Sequence, residues 1–131
     1  MKQNLFVLHK TVVQDDLDDL NHVNNVVYLQ WVQEAAKAHW QTLIANQTQE
    51  FGYWVVRSHH ITYKQAAQLG DLLKIETFVK QTRGMLSERI VNFYLEQSRT
   101  LIASCSTQWC YLDINSLKPK LIPVTVNNLL S

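Results

Sequence analysis

Between residues 72 and 112 apolar and polar positions alternate, and a period of two predicts strands. Leu73, Ile75, Thr77 and Val79 oppose Lys74, Glu76, Phe78 and Lys80. Arg83-Gly84 reads as a tight hairpin turn. The strand that follows, Met85 to Glu96, puts Arg89, Val91, Phe93 and Leu95 on one face. Ser98-Arg99-Thr100 marks a second turn. Leu101 to Leu112 follows, with Leu101, Ala103, Cys105, Thr107, Trp109 and Tyr111 together. Upstream, Leu5 to Val13 and Tyr53 to Ala67 are rich in β-branched and aromatic residues, which suits two more strands. Between them, from about Val26 to Ile44, the period changes to that of a helix. Tyr28, Val32, Ala35, His39 and Leu43 form one stripe, and Trp31, Ala36, Ala38 and Trp40 widen it. A helix that apolar is surrounded by other structure. Asp113 to Pro119 reads as a loop, and Val124 to Leu130 as a short element of open type.

The predicted order is a strand, a long helix and four long strands. Short turns between the last strands imply an antiparallel meander. One buried helix against one antiparallel sheet is an α+β layer arrangement. The pattern contains no repeat, linker or low-complexity segment, so residues 1–131 are read as a single domain.

Composition narrows the partners. Of the 131 residues, 47% are hydrophobic and 18% charged, a globular balance. A formal net charge of +1 argues against a nucleic-acid footprint, which needs a basic excess. It leaves a few cations for a small anionic ligand. Cys105 and Cys110 are an odd number of positions apart, so on one strand they face opposite ways and stay free thiols. No cluster has zinc-ligand spacing, and no metal is expected. The start, Met1-Lys2-Gln3-Asn4-Leu5, opens no long apolar signal region, and no stretch is apolar enough to span a bilayer. The expectation is a cytoplasmic protein.

The most unusual stretch is Asp15-Asp-Leu-Asp18-Asp-Leu-Asn21-His22-Val-Asn24-Asn25-Val-Val-Tyr28. It sets four carboxylates, a histidine and three carboxamides directly ahead of the helix. A reaction site built on a helix N-terminus needs that mixture: an anion, hydrogen-bond donors and the positive end of the dipole. A solvated, helix-capping loop is the competing reading.

The segment Asp16 to Tyr28 resembles the hotdog-fold acyl-CoA thioesterases of the 4-hydroxybenzoyl-CoA thioesterase type. Those enzymes often carry Asp-x-Asp-x-x-Gly-His-Val-Asn-Asn-x-x-Tyr here. The resemblance continues through Ile61-Thr-Tyr63, Leu69-Gly70-Asp71, Trp109 and the Asp113 to Pro123 loop. Asn21 replaces the family's glycine, and Asn tolerates the same left-handed backbone. Ala66 stands where many relatives have proline. The resemblance implies a long helix wrapped by a curved antiparallel sheet of about five strands. It also implies pairing edge to edge into a homodimer or a dimer of dimers, with active sites at the interface.

What it implies chemically is hydrolysis of an acyl-CoA thioester, with acyl carrier protein as the alternative carrier. A non-catalytic acyl-binding domain and a hotdog hydratase are the rival readings. An ionised carboxylate beside an acyl group would not serve a pure binder. Asp18 matches the carboxylate that attacks the thioester or activates water, while Asp16 orders the loop and Asp15 and Asp19 are solvated. Asn24 and Asn25 cap the helix, and a backbone N–H near Asn25 would bind the thioester oxygen. His22 orients Asp18, lines the pocket or satisfies the loop. Tyr28 and His59 are substrate-side candidates, with core packing the competing role for Tyr28. His59 and His60, adjacent on a strand, face opposite sides. Lys64, Lys80, Arg83, Arg89 and Arg99 are available for coenzyme A phosphates, each read as an ordinary solvated charge. No cofactor is implied beyond the coenzyme A of the substrate.

Overall fold

The structure is a computed structural model and describes residues 4–131. Met1 to Gln3, part of the Met1–Leu5 start considered for a signal region, lie outside the described residues. Five strands and a long helix account for most of the chain: β1 (Phe6–Thr11), α1 (Asn25–Ile44), β2 (Tyr53–Tyr63), β3 (Leu72–Arg83), β4 (Leu86–Leu95), β5 (Leu101–Leu112) and a short α2 (Val124–Leu130). The tail left open by the sequence is therefore helical. The strands form one antiparallel sheet in the order β1-β3-β4-β5-β2. The meander of β3, β4 and β5 follows from the short turns. Gly84 supplies the positive φ of 62° between β3 and β4, and Arg99 (φ 59°) supplies it between β4 and β5.

β2 departs from a simple meander. It crosses to the far edge and pairs with β5, so it has only one neighbour. It also ends at Tyr63, four residues before the predicted end. Lys64 and Gln65 both donate to Ile102 O (2.8 and 3.2 Å), and Ala67 O accepts from Val23 N (3.0 Å). The segment after Tyr63 is thereby spent on holding the polar loop. Gly70 (φ 84°) and Asp71 close it: Gly70 N donates to Val12 O, Asp71 O accepts from Val12 N, and the Asp71 side chain accepts from Gln68 N.

The helix lies on one face of the sheet. Its buried residues are Tyr28, Trp31, Val32, Ala35, Ala36 and His39. They meet Leu73, Ile75, Val91 and Phe93, all fully buried, from the alternating positions of β3 and β4. Tyr28 makes edge contacts with Trp31, Tyr63 and Phe93, with centroids 5.8, 5.3 and 5.2 Å away. A second cluster of Val79, Tyr111, Ile122, Val126 and Leu130 packs α2 against the other end. There Gly52 N donates to the Tyr111 hydroxyl (2.6 Å), and a Cβ on Gly52 would overlap the Leu112 carbonyl oxygen.

One charge sits in this interior. Arg89 is 4% exposed and its Nη1 donates to His39 Nδ1 (2.8 Å) and to Thr77 Oγ1 (3.1 Å). Thr77 in turn donates to Ile90 O (2.9 Å). A guanidinium only donates, so His39 Nδ1 is an acceptor and the ring proton belongs on Nε2. Burial, and then the Arg89 cation, push the His39 pKa down from 6.5 to about 4.

The unfolded chain therefore takes up a proton near pH 6.5 that the folded chain refuses until about pH 4. The contribution is full above pH 6.5 and is lost as pH falls through that window. Urea unfolding followed from pH 7 to 4 should show a loss on the order of 3 kcal/mol in the native protein. His59, also lowered by burial, titrates in the same direction. The part due to His39 is thus the difference from His39→Gln, whose profile should be distinctly flatter. Parallel profiles would remove His39 from this role.

Candidate active site

The polar segment folds into two successive turns, each held by a carboxylate. Residues Gln14–Asp16 make a short 3-10 turn, and Asp16 Oδ2 accepts from Val13 N (2.9 Å). Asp18 Oδ1 accepts from Leu20 N (2.9 Å) and His22 N (3.2 Å). Backbone bonds close the same turn: Asp18 N to His22 O (2.8 Å) and Asn21 N to Asp18 O (3.0 Å). Asn21 sits at φ 60°, the left-handed conformation that the asparagine-for-glycine exchange allows. Leu17 bridges Val23, and Asn24 N donates to Asp16 O (2.8 Å), so the turn folds back onto the helix start.

Asn24 is the N-cap of α1; its side chain accepts from Val26 N (3.0 Å). Asn25 is the first helical residue. Among the described residues its N–H has no hydrogen-bond partner. Asp18, half-buried, likewise has one oxygen, Oδ2, without a partner among the described residues. The junction thus offers a free carboxylate oxygen and a free N–H at the positive end of a 20-residue helix. Asp15 and Asp19 are exposed.

The other candidates separate in space. His22 is half-buried beside Asp18 through its backbone. Tyr28 lies one turn further along and is 2% exposed, inside the aromatic cluster. Its hydroxyl is buried without a hydrogen bond of ordinary geometry, and burial raises its pKa. His59 lies on the inner face of β2, where Nδ1 pairs with Thr107 Oγ1 (2.8 Å); His60 is exposed on the other face.

A larger concavity lies elsewhere. A cleft of about 800 Å³ opens between the second half of α1, the segment after it, the start of β2, and β4 and β5. Its lining helix residues begin at Gln33, eight positions after Asn25, or about 12 Å along the axis. Arg89 and Trp109 are on its wall. Of the five cations considered from the sequence, Lys64, Lys80, Arg83 and Arg99 are exposed as expected. Arg89 is not, which corrects its reading as a solvated charge. The signal was its place in the alternation with Val91 and Phe93, both fully buried. The sheet bends here: bulges at Lys80 in β3 and Arg57 in β2 lie across from Arg89 and Trp109 respectively.

A long helix wrapped by a five-stranded antiparallel sheet, with a carboxylate turn at the helix start, is the hotdog architecture. The chain belongs to the thioesterase-like superfamily, whose family model matches residues 12–130. Among solved structures it is similar to the probable thioesterase YbaW from Escherichia coli (24% identity, TM-score 0.81, 95% of each chain covered). It is similar to a 1,4-dihydroxy-2-naphthoyl-CoA thioesterase from Synechocystis (16% identity, TM-score 0.81, 97% of this chain and 96% of the other). A mutant 4-hydroxybenzoyl-CoA thioesterase complexed with 4-hydroxybenzoyl-CoA is also similar (15% identity, TM-score 0.79, 97% and 99% covered). No curated protein matches the sequence.

The cap is testable by itself. Asn24→Ala removes the acceptor of Val26 N, and chemical denaturation should show a loss of about 1 kcal/mol. Asn24→Ser, which keeps a capping oxygen, should recover most of it. An alanine variant as stable as the native protein would mean that the side chain does not hold the helix start.

Proposed function

We propose that this chain hydrolyses acyl-CoA thioesters to a carboxylic acid and free coenzyme A. The observation that carries the reading is the helix-start junction: Asp18 with one oxygen held by the turn and one free, in the turn that leads into α1, and the free N–H of Asn25 at the helix start. The turn fixes the carboxylate, so little reorganisation is needed when it acts. In the proposed step the Asp18 carboxylate either attacks the thioester carbon or takes a proton from the attacking water. Negative charge develops on the thioester oxygen, and the Asn25 N–H and the helix dipole stabilise it. The C–S bond then breaks and the thiolate leaves as the coenzyme A thiol after protonation. Where Asp18 itself attacked, water then hydrolyses the Asp18–acyl anhydride, releasing the carboxylic acid and restoring the carboxylate. His22 fixes the loop around Asp18, Asn24 holds the helix start, and Tyr28 and His59 border the acyl end. The step draws on protein groups alone, and acyl carrier protein is the alternative carrier. One similar structure, crystallised as an aspartate-to-asparagine mutant with its acyl-CoA, supports a carboxylate in this role.

β2 supports the assembly proposed with this reading. It has 11 residues, pairs on one side only, and lies at the sheet edge, whereas the other edge strand, β1, has 6. A long free edge favours pairing with a second copy. We assign it to a homodimer, alone or as half of a dimer of dimers. Free thiols at Cys105 and Cys110 support a reducing, cytoplasmic location. Among the described residues no helix is long and apolar enough to cross a membrane.

Thiol release from a panel of aliphatic and aromatic acyl-CoAs tests the activity. Asp18→Asn keeps an oxygen that can accept from Leu20 and His22, so the turn should survive. We expect its turnover to fall by about 100-fold or more. Asp16→Asn, where among the described residues the side chain accepts from Val13 N alone, should lose less than about 10-fold. Turnover unchanged in Asp18→Asn would remove Asp18 from the reaction. No hydrolysis of any acyl-CoA or acyl carrier protein thioester would favour a non-catalytic binder.

A further inference from the structure

The cleft beside the second half of α1 holds a cation without a counter-ion. Arg89 lines it, yet no carboxylate lies within 4 Å of its guanidinium among the described residues. Its two hydrogen bonds, both from Nη1, go to the neutral groups His39 and Thr77. Nε and Nη2 have no protein acceptor among the described residues. Burying an unpaired cation is costly, and an anion brought to it would offset that cost.

A second donor points to the same missing partner. Trp109 Nε1–H is buried with no acceptor and its residue lines the same cleft. The free guanidinium nitrogens of Arg89 and the Trp109 N–H are donors without acceptors, which describes a site for an acceptor group, while Ser87 and the lining glutamines can donate or accept. The walls describe the rest of the ligand: Ala36, Trp40, Ile44, Phe51, Trp54 and Trp109 are apolar or aromatic. Trp40 meets Phe51 and Trp54 edge-on at 5.5 and 5.8 Å, which gives a stiff aromatic wall. A cleft of about 800 Å³ is within the range that holds a small organic molecule. Lys37 and Glu50 also border it, but both are exposed and opposite in sign, so they add no net field at the rim.

We propose that this cleft binds an amphipathic carboxylate, an aryl or alkyl acid whose carboxylate rests on Arg89 and whose apolar body lies against the tryptophans. A carboxylate is planar and accepts from two nitrogens of a guanidinium at once, which matches the two unused nitrogens of Arg89. The Trp109 N–H adds a donor that a neutral hydrocarbon could not use. The site starts about 12 Å along α1 from the Asp18 junction, and it does not rest on the thioesterase reading.

Isothermal titration of the full chain with 3-phenylpropanoate and with its neutral analogue 3-phenylpropanamide tests the proposal. The acid should bind about 10- to 100-fold more tightly than the amide, as a charge-assisted pair gives. Tryptophan emission should change on binding, since Trp40, Trp54 and Trp109 line the cleft. Arg89→Met should abolish the preference for the acid, and Trp109→Phe should weaken the acid several-fold while keeping the wall. If Arg89→Met does not fold, the acid–amide pair in the native chain and Trp109→Phe still decide. Asp18→Asn should bind the acid as the native chain does, whether or not it hydrolyses thioesters. Equal affinity for acid and amide, no saturable binding of either, or acid binding altered mainly by Asp18→Asn would overturn the proposal.

Discussion

The burial of one face of α1 is the constraint from which the rest of the molecule follows. Tyr28, Trp31, Val32, Ala35 and His39 make a stripe that no 20-residue helix could leave in water. The sheet satisfies it with the alternating positions of β3 and β4, and β1 covers the side. Each fully buried residue of that size contributes on the order of 2 kcal/mol of apolar burial. The helix therefore fixes which face of every strand is inside. Its start and its end are then set at opposite ends of the sheet. The start receives the carboxylate turn. The end, where the two bulges bend the strands, is left with a gap.

The helix start shows how a crowded acidic segment resolves into separate tasks. Asp16 and Asp18 each use one oxygen to close a turn, and Asn24 caps the helix. A carboxylate that satisfies backbone N–H groups in a loop of this shape is stabilising in its own right. What separates Asp18 is location. Its turn is closed by His22, two residues before the cap, whereas the Asp16 side chain accepts from Val13 upstream. The same logic explains Ala67, which looks inert in sequence. Its carbonyl accepts from Val23 and ties the loop after β2 to the turn.

Much of the fold was legible because its signals are local. Alternation in β3, β4 and β5, the stripe on α1, and the left-handed tolerance of Asn21 are properties of neighbouring residues. The position and end of β2 were not legible, because a strand does not carry its partner in its own pattern. β2 crosses the sheet to meet β5, and it stops at Tyr63 because Lys64 and Gln65 find Ile102 O. Those are long-range facts. The short tail was open because Val124 to Leu130 has too few residues to show a helical period against a strand-like composition. At the site, the turn and cap roles were legible from residue type, and a backbone N–H near Asn25 was expected as well; that this N–H has no partner among the described residues came with the geometry.

Arg89 is the instructive case, since the alternation that identified its neighbours as core identified it too. A charge in an inward register position is ordinarily taken for an exception to the pattern, with the long side chain reaching back to water. Here the pattern holds and the charge stays inside. Thr77 is the inward residue opposite Val91 on β3, and His39 faces both from the helix, so the guanidinium finds two acceptors before it can reach solvent. Both acceptors are neutral. Burial, and then Arg89, keep His39 neutral, since a protonated imidazole could not accept from the guanidinium and would place two cations side by side. The arrangement is locally consistent and globally unbalanced in charge. A fold that only needed to fill this space has no use for a cation, since burying a charge without a counter-ion is costly. Retaining a cation at the wall of an otherwise aromatic cleft is chemically sensible where something negative comes to meet it.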